Sequence, residues 1–370
     1  MNKKILLLTA GKTGGHRSAS NALKSALLAL DPSLEVDDYD SNHLFLGYKG
    51  EGGEQGYVTM TTRLRFLWKV FFEVTSFFRS FSNFFLRQAI RRNFSRLLQK
   101  ERPDAVVSLH PCFVGSALKI LRKFGPIPFY VVVLDPMKHS HLWRDKKATL
   151  TFLPTEETKV DFLKAGFKEN QIIQCGFPLS PIPFIQKEVS KRKQLLFVNP
   201  SQRSLRTTRK LIEVAYPFDV DISVVTGSDA HLKKYLEKHL PKREGLTIHG
   251  YVHDMGRRLR QADVVLTKAG PNIMFEAIAS GTPIVFTGHL PGQEEKNALY
   301  AVRRGYGLVA EKPSRLSALL KKILVDEPEQ LAKMRQKEEG CPDLRGAEKI
   351  AQEIVRRLRK EEEGSWNKSA

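Results

Sequence analysis

The chain has 370 residues and a formal net charge of +20, from 60 lysines and arginines against 40 acidic residues. This length exceeds that of one typical domain and fits two domains of about 150–200 residues each. The positive charge predicts an anionic partner, for which nucleic acid, an acidic membrane surface and a nucleotide sugar all qualify. The sequence carries no zinc-finger or RNA-recognition motif, so we expect no nucleic-acid partner.

The cysteines and the apolar runs restrict the compartment. The three cysteines, Cys112, Cys175 and Cys341, are scattered without metal-ligand spacing, which predicts a reducing compartment and no disulfide framework. The apolar run near the N-terminus is only five residues long, which is too short for the core of a signal peptide. No stretch approaches the roughly eighteen apolar residues of a membrane span. We therefore expect a cytoplasmic protein.

The first part of the chain predicts a strand, a helix and a second strand. Ile5–Thr9 forms a buried strand, a glycine-rich turn and a helix follow, and Leu34–Tyr39 forms the next strand. His16 lies at the carboxyl end of the first strand, where the crevice of an open α/β sheet is found. A histidine there either serves as a general base, because its pKa lies near neutrality, or orients the loop. NAD binding is a further alternative, although the turn lacks the full G-x-G-x-x-G spacing.

Residues 57–99 are rich in phenylalanine and arginine. They hold nine of the chain's 22 phenylalanines and a single acidic residue, Glu73. One interpretation is an amphipathic surface with aromatic rings at the acyl boundary of a membrane and arginines on anionic headgroups. The alternative is a pair of core helices with a basic solvent face. The residues leave both interpretations open, and the candidate membrane contacts are Phe71, Phe78, Phe81, Phe85, Arg87 and Arg91.

Two further strands in the first half, Pro103–Leu109 and Pro128–Leu134, end in polar residues. The residues that follow them are His110, Asp135, His139, His141 and Trp143. Asp135, His139 and His141 form a candidate metal set, but no further ligand has suitable spacing. We therefore predict no metal site.

The segment 264–297 holds the densest set of motifs. Val264–Thr267 and Pro283–Thr287 are short apolar runs, typical of strands buried on both faces. Between them, Lys268–Gly270 makes a turn and Pro271 begins a helix. The N-terminus of such a helix favours phosphate, through its unpaired amides and the helix dipole together.

Polar residues surround this predicted anion site. Glu276 lies inside the helix, and the loop 291–297 reads PGQEEKN. Carboxylates and amides offer several hydrogen-bond sites to sugar hydroxyls, so a diphosphate with ribose on one side and a hexose on the other satisfies all of these groups. The alternative is that Glu276 is a solvated helix residue and the loop an ordinary acidic turn.

Three segments together carry a family resemblance: TGGHRSASNAL at 13–23, KAGPNIMFEA at 268–277 and PGQEEKN at 291–297. They resemble the family that contains plant monogalactosyldiacylglycerol synthases, bacterial diacylglycerol glucosyltransferases and the lipid-linked N-acetylglucosaminyltransferase of cell-wall synthesis. The resemblance implies the GT-B fold, in which two Rossmann-like, doubly wound α/β domains face a central cleft. It also implies an inverting transfer of a hexose from a UDP-sugar to a lipid acceptor such as diacylglycerol.

The same resemblance implies where the protein works and how it is divided. The enzyme would need no metal or other cofactor and would associate peripherally with the inner leaflet of the membrane. The expected domains are an acceptor domain over 1–178 and a nucleotide-sugar domain over 194–345, joined by a linker over 179–193. The C-terminal segment 346–370 would form a helix that returns to the first domain.

The resemblance further implies roles for individual residues. His16 and Asp135 would be catalytic, with His16 as the base. The implied donor-binding residues are Gly14, Gly15, Val252, Lys268, Gly270, Pro271, Asn272, Ile273, Glu276, Pro291, Gly292, Gln293, Glu294, Glu295 and Asn297. Among them, Glu276 would hold ribose and the loop around Gln293 the hexose. The implied acceptor-binding residues are His110, His139 and Trp143.

Two departures from the family pattern leave alternatives open. Asn272-Ile273 stands where the family often has Gly-Thr, and the loop 199–206, NPSQRSLR, lacks the glycines usual there. One alternative is therefore a catalytically degenerate, membrane-bound protein that binds the sugar nucleotide or lipid. Another is a UDP-sugar epimerase or hydrolase on the same fold.

Overall fold

A computed structural model of the chain describes residues 2–10, 14–46, 79–137, 139–182, 190–199, 204–290 and 294–369, and all structural statements concern these residues. The chain divides into two compact units, with boundaries between Pro181 and Ile182 and between Pro342 and Asp343. The first unit therefore contains the C-terminal helix as well as the beginning of the chain.

Each unit is built on a sheet of six parallel strands. The first sheet consists of β1 (Lys4–Leu8), β2 (Glu35–Tyr39), β3 (Ala105–Ser108), β4 (Phe129–Val132), β5 (Leu150–Leu153) and β6 (Ile172–Gln174). The second consists of β7 (Lys193–Val198), β8 (Val220–Val225), β9 (Leu246–His249), β10 (Val264–Lys268), β11 (Ile284–Gly288) and β12 (Gly307–Val309). The inner strands are largely apolar and buried, as parallel strands covered on both faces must be, whereas the edge strands β2, β6, β9 and β12 are partly exposed.

Helices connect the strands. The described helices are α1 (Gly15–Leu30), α2 (Ser41–Leu46), α3 (Arg79–Glu101), α4 (Pro111–Leu121), α5 (Glu156–Lys164), α6 (Leu205–Glu213), α7 (Ala230–His239), α8 (Met255–Gln261), α9 (Pro271–Ser280), α10 (Asn297–Arg304), α11 (Pro313–Lys321), α12 (Glu329–Glu339) and α13 (Gly346–Ser369). Their starts follow local rules, because proline occupies the first position of α4, α9 and α11. Thr155, Ser204 and Asp229 cap α5, α6 and α7 with side-chain oxygens.

The strand order locates the crevice of each sheet. The first sheet has the order β2-β1-β3-β4-β5-β6, and the second the order β12-β11-β10-β7-β8-β9. The direction of winding reverses between β1 and β3 in the first sheet and between β7 and β10 in the second. Ligands of open α/β sheets bind outside the carboxyl ends of the strands at such reversals. The predicted pair of doubly wound α/β domains is confirmed.

The assigned strands end one or two residues before their predicted ends. Strands predicted to run through Thr9 and Leu134 end at Leu8 and Val132. The amides of Thr9 and Val133 still donate to the carbonyls of Tyr39 and Phe152, each at 3.0 Å, and both residues are buried, so backbone pairing continues one residue past each assigned end. Strands β5 and β6 are present without having been predicted.

The chain re-enters the first unit through a close crossing of two backbones. The amide of Phe177 donates to the carbonyl of Asp343 at 2.8 Å, and the amide of Gly346 donates to the carbonyl of Phe177 at 3.0 Å. Gly176 has φ +91°, and a Cβ there would lie 2.7 Å from the carbonyl oxygen of Leu344. Only glycine satisfies both the left-handed backbone and this approach. Helix α13 then packs against α1.

Glu338 on α12 is a buried carboxyl. Its side chain has no exposed surface, and within the described part of the chain neither carboxyl oxygen has a hydrogen-bond partner. Burial raises the pKa of Glu338 to about 9, with a smaller opposing effect from Arg335. The carboxyl is therefore neutral in the folded protein at pH 7, whereas it is ionised in the unfolded chain.

We expect Glu338→Gln to remove a pH dependence of stability. Between the unfolded pKa near 4.5 and the folded pKa near 9, unfolding releases a proton, so wild-type stability falls by about 1.4 kcal/mol per pH unit from this group. The stability of the variant relative to wild type should rise by about 3 kcal/mol from about pH 5.5 to pH 8, measured by chemical denaturation. Glu339→Gln, exposed on the same helix, is the control. A constant difference across this range would contradict the assignment.

Candidate functional site

Two histidines meet at the reversal point of the first sheet. His16 lies in the first turn of α1, after β1, and His110 follows the neighbouring strand β3. Their rings pack edge to face, with 4.8 Å between ring centroids. Nδ1 of His16 donates to the carbonyl of Leu109 at 2.8 Å, which leaves Nε2 as the nitrogen with a lone pair in the neutral ring.

The surroundings keep both rings neutral. Burial lowers the pKa of His16 below its usual value, and the hydrogen bond to Leu109 offsets part of this effect. Burial and the neighbouring His16 hold the pKa of His110 well below its usual value. A neutral imidazole with a fixed tautomer is the form that can accept a proton.

The glycines before α1 set the position of His16. Gly14 is the N-cap of α1 and has φ +85°, a conformation that side chains with a Cβ rarely adopt. A Cβ on Gly14 would meet no atom within 4 Å, so the backbone conformation rather than crowding requires glycine here. Gly15 begins the helix. The start of α1 at Gly14 and Gly15 therefore places His16 in the first turn of the helix.

Asp135 belongs to a buried polar cluster beyond β4. Its Oδ2 accepts a hydrogen bond from the indole nitrogen of Trp143 at 2.7 Å, and its backbone carbonyl accepts one from Thr158. Asp135 is 4% exposed and Trp143 is fully buried. Asp135 thus fixes the loop that contains Trp143, a contact that sequence reasoning did not anticipate.

His139 is likewise held inside the protein. Its ring stacks on Phe162 at 4.9 Å, and its Nε2 accepts a hydrogen bond from Arg144 at 3.0 Å. Burial, with Arg144 adding to the effect, lowers the pKa of His139 to about 3. The structure therefore brings His16 and His110 together and places Asp135, His139 and Trp143 in the adjoining loop as buried, hydrogen-bonded groups.

The turn after β10 lies at the carboxyl ends of the strands, in the middle of the second sheet. Gly270 is the N-cap of α9 without a side-chain cap, and Pro271 is the first helical residue. Lys268 is the last residue of β10, two residues before Gly270, and it pairs with Glu294 at 2.5 Å between Nζ and Oε1. The other oxygen of Glu294 accepts from the amide of Leu290 at 2.8 Å. Lys268 and Glu294 therefore join the turn to the loop after β11.

Asn297 makes a second connection between the same loops. Its side-chain amide donates to the carbonyl of Ala269 at 3.0 Å, and the side chain is fully buried. Asn272, Ile273 and Glu276 lie in the first two turns of α9 and are partly buried. Glu295 is also partly buried, and Val252 follows the edge strand β9. Three further predicted donor residues, Pro291, Gly292 and Gln293, lie outside the described residues.

The segment after β7 lacks the glycines expected there, and an asparagine adopts the left-handed backbone conformation instead. Asn199, directly after the strand, has φ +40°, in the left-handed region that asparagine tolerates better than most residues. Ser204 then caps α6 by accepting from the amide of Thr207. At the reversal point between β7 and β10, a left-handed residue, Asn199, therefore precedes a helix capped by Ser204.

Two polar residues at this edge were missed in the sequence. His289 follows β11 and donates from Nδ1 to Oε1 of Glu311 at 2.5 Å. Both side chains are partly exposed. The only signal in the sequence was that His289 stands two residues before the PGQEEKN motif, while Glu311 lies in no motif.

Helix α3 divides the aromatic segment into a core part and a surface part. Ile90, Phe94 and Leu98 are buried, and the helix packs against α4. Phe81, Phe84 and Phe85 are exposed by 65%, 47% and 54%, and Arg87 lies over the ring of Phe84 at 5.5 Å. We call Phe81, Phe84, Phe85 and Arg87 the aromatic surface. Phe71 and Phe78 lie outside the described residues.

Core packing occupies the C-terminal half of α3 and leaves its first turns exposed, while the predicted membrane contact stays a prediction. Arg91, one turn after Arg87, is exposed as well. Within the described helices, none is long and apolar enough to cross a membrane.

Comparison with protein families identifies both units. Residues 16–179 match the family model of monogalactosyldiacylglycerol (MGDG) synthase, and residues 200–354 match that of the glycosyltransferase family 28 C-terminal domain. The chain therefore carries an MGDG synthase domain followed by a glycosyltransferase family 28 C-terminal domain. The resemblance inferred from the sequence motifs is therefore confirmed.

Individual relatives align along most of the chain. It is 25% identical to monogalactosyldiacylglycerol synthase 1 of Arabidopsis thaliana over 350 residues, covering 86% of this chain and 64% of that protein. It is also 25% identical to a processive diacylglycerol β-glucosyltransferase of Bacillus cereus, covering 88% and 87%. The chain thus spans just under two thirds of the plant synthase's length.

Solved structures show the same fold. A UDP-GlcNAc 2-epimerase from Neisseria meningitidis superposes with a TM-score of 0.64 at 13% identity, covering 96% of this chain and 100% of that one. MurG from Acinetobacter baumannii superposes with a TM-score of 0.57 at 14% identity, covering 95% and 99%. The GT-B fold class is confirmed. Because this fold serves epimerases as well as transferases, the fold by itself does not choose the reaction.

We expect Lys268→Met to destabilise the protein by about 3 kcal/mol, because it leaves the buried carboxylate of Glu294 without its cation. Adding Glu294→Gln should recover a large part of this loss, and chemical denaturation of the four proteins gives the coupling energy. Lys233→Met, which breaks the exposed pair with Glu237, is the matched control and should cost less than about 1 kcal/mol. Equal losses for Lys268→Met and Lys233→Met would show that the buried pair does not hold the two loops.

Proposed function

We propose that this protein is an inverting glycosyltransferase that moves a hexose from a UDP-sugar to a lipid acceptor such as diacylglycerol. The second unit binds the donor and the first unit binds the acceptor. Relatives named for galactosyl and glucosyl transfer to diacylglycerol support the reaction class. The observation that carries the proposal is the uncapped N-terminus of α9 at the reversal point of the second sheet.

This helix N-terminus suits a diphosphate. The amides of a first helical turn point out of the helix, and the helix dipole adds a partial positive charge. Gly270 carries no side chain that would cap these amides, and Lys268 lies beside it. As UDP departs, the developing charge on the diphosphate is stabilised by these fixed dipoles. We therefore propose that no metal ion is required.

The remaining donor contacts follow from the order of elements along this edge. Val252 lies after the edge strand β9, on the side proposed for the base, and Glu276 on α9 binds the ribose. The loop that contains Glu294 and Glu295 lies on the other side and binds the hexose. Glu294 acts there through Lys268 and Leu290, which it holds in place.

His16 is proposed as the catalytic base. Its Nε2 takes the proton from the acceptor hydroxyl while the acceptor oxygen forms a bond to the anomeric carbon. The bond between that carbon and the diphosphate oxygen breaks at the same time, and its electron pair leaves with UDP. Attack from the face opposite the leaving group inverts the anomeric configuration. His110 contacts His16 and is proposed to line the acceptor site, with Asp135 positioning the adjoining loop.

The aromatic surface is proposed to dock on an anionic membrane. Three exposed phenylalanine rings offer apolar area to the acyl boundary, and Arg87 and Arg91 offer charge to the headgroups. The net charge of +20 acts in the same direction. Docking at the cytoplasmic face would give the first unit access to a lipid hydroxyl.

Two single variants should separate donor binding from chemistry. We expect His16→Ala to keep the affinity for UDP, measured by calorimetry, while hexose transfer to diacylglycerol vesicles falls by about 10²–10⁴-fold. We expect Glu276→Ala to lose UDP affinity by about tenfold, because the ribose contact is removed. Glu237→Ala, on a solvent-facing helix of the same unit, is the control for Glu276→Ala. Absence of UDP binding by the wild type, or an epimerised sugar nucleotide as product, would overturn the proposal.

The pH profile gives a further check on His16. The base acts only when neutral, and burial places the pKa of His16 below the usual 6.5. Transfer should therefore be independent of this group at pH 7 and fall as the pH drops through that lowered pKa. A loss of kcat/KM that begins above pH 7 on acidification would exclude His16 in this environment as the base.

We expect the triple variant Phe81→Ser, Phe84→Ser, Phe85→Ser to bind anionic vesicles at least about tenfold more weakly, because each ring would bury apolar area in the membrane on binding. Vesicle flotation measures binding, and transfer to a dispersed short-chain acceptor should remain within twofold. Leu30→Ser together with Val325→Ser removes exposed apolar side chains elsewhere and is the control. Unchanged flotation of the triple variant would contradict the proposal that the aromatic surface contacts the membrane.

A further inference from the structure

His289 and Glu311 form a polar pair outside every motif of the chain. Strands β11 and β12 are neighbours, with Phe286 opposite Val309, and the amide of Ala310 donates to the carbonyl of Phe286 at 2.9 Å. The next residues of both strands therefore emerge side by side at the carboxyl edge. There Nδ1 of His289 donates to Oε1 of Glu311 at 2.5 Å.

The backbone on both sides of His289 is tied to the helix N-terminus described above. The carbonyl of Gly288 accepts from the amide of Ala269 at 2.8 Å, in the turn before α9. The amide of Leu290 donates to Glu294 at 2.8 Å, and Glu294 in turn pairs with Lys268. His289 thus begins the loop after β11, at the point where that loop is bonded to the turn before α9.

The pairing with Glu311 defines what the ring can bind. A carboxylate oxygen only accepts hydrogen bonds, so Nδ1 carries a proton and Nε2 is the opposite ring nitrogen. Nε2 accepts when the ring is neutral and donates when it is protonated. A hydroxyl can do either, so it suits His289 in both charge states. The His289 side chain is 29% exposed and that of Glu311 26%, so part of the pair is accessible from solvent.

The order of strands places this pair on the hexose side. Val252, proposed to face the base, follows β9, whereas the diphosphate is proposed to lie on α9, after β10. The second sheet runs β9-β8-β7-β10-β11-β12, so a donor that extends from β9 to β10 continues onto β11. Neighbouring strands are about 4.8 Å apart, which is roughly the width of a sugar ring.

We propose that His289, oriented by Glu311, hydrogen-bonds a hydroxyl of the donor hexose and so helps to select the sugar nucleotide. This inference rests on the proposed function, because it requires that a sugar nucleotide binds along the edge of the second sheet. Glu311 does not contact the sugar and acts as a positioning residue.

Calorimetry with UDP, UDP-glucose, UDP-galactose and UDP-N-acetylglucosamine tests the assignment. For His289→Ala we expect UDP affinity within twofold of wild type, and an affinity for the preferred UDP-hexose that falls about tenfold, as the loss of one hydrogen bond predicts. The preference among the three sugar nucleotides should shrink. Glu311→Gln should give a smaller change in the same preference, since glutamine still accepts a hydrogen bond but without charge.

The control is His239→Ala, an exposed histidine on α7 of the same unit whose ring stacks on Tyr235. It should change neither affinity. Equal weakening of UDP and UDP-hexose binding by His289→Ala would overturn the inference, because His289 would then only support the loop. An unchanged ratio of UDP-hexose to UDP affinity would overturn it as well, while leaving the proposed function intact. Failure of the wild type to bind UDP would overturn both.

Discussion

Parallel pairing of buried strands is the constraint on which the rest of this protein depends. A parallel strand cannot be joined to its neighbour by a short turn, so each connection crosses a face of the sheet, usually as a helix. All segments that follow a strand therefore lie at the carboxyl ends of the sheet, and all segments that precede a strand lie at the amino ends. Residues far apart in sequence, such as His16 and His110, meet because β1 and β3 end side by side.

The loops that follow the strands contain buried polar groups that cannot pair within the hydrogen-bonded ladder of the sheet, so other contacts must satisfy them. In the second unit this is done by Lys268, Glu294 and Asn297, which connect the turn before α9 to the loop after β11. A buried ion pair of this kind gains little net stability, because desolvation of both charges offsets their attraction. Its consequence is geometric, since it fixes two loops around one helix N-terminus.

The first unit uses its polar residues in two different ways. His16 and His110 remain at the edge as neutral rings, one of them with a fixed tautomer. Asp135, His139 and Trp143 are instead buried. Asp135 accepts a hydrogen bond from Trp143, and His139 accepts one from Arg144. A set of residues predicted together from motifs can therefore separate into residues that pack a loop and residues that stay at the sheet edge.

The sequence by itself determined the two-domain α/β architecture, the family resemblance and the helix N-terminus at Gly270, because these depend on local signals. Apolar β-branched runs specify buried strands, glycine and proline specify the turn and helix start, and the motifs lie within single connections. What only the tertiary structure decided was which side chains meet. The pairing of His289 with Glu311, the burial of Trp143 on Asp135 and the division of α3 into core and surface all depend on strand register or helix packing. Such contacts join residues on different elements, and no periodicity along the chain encodes them.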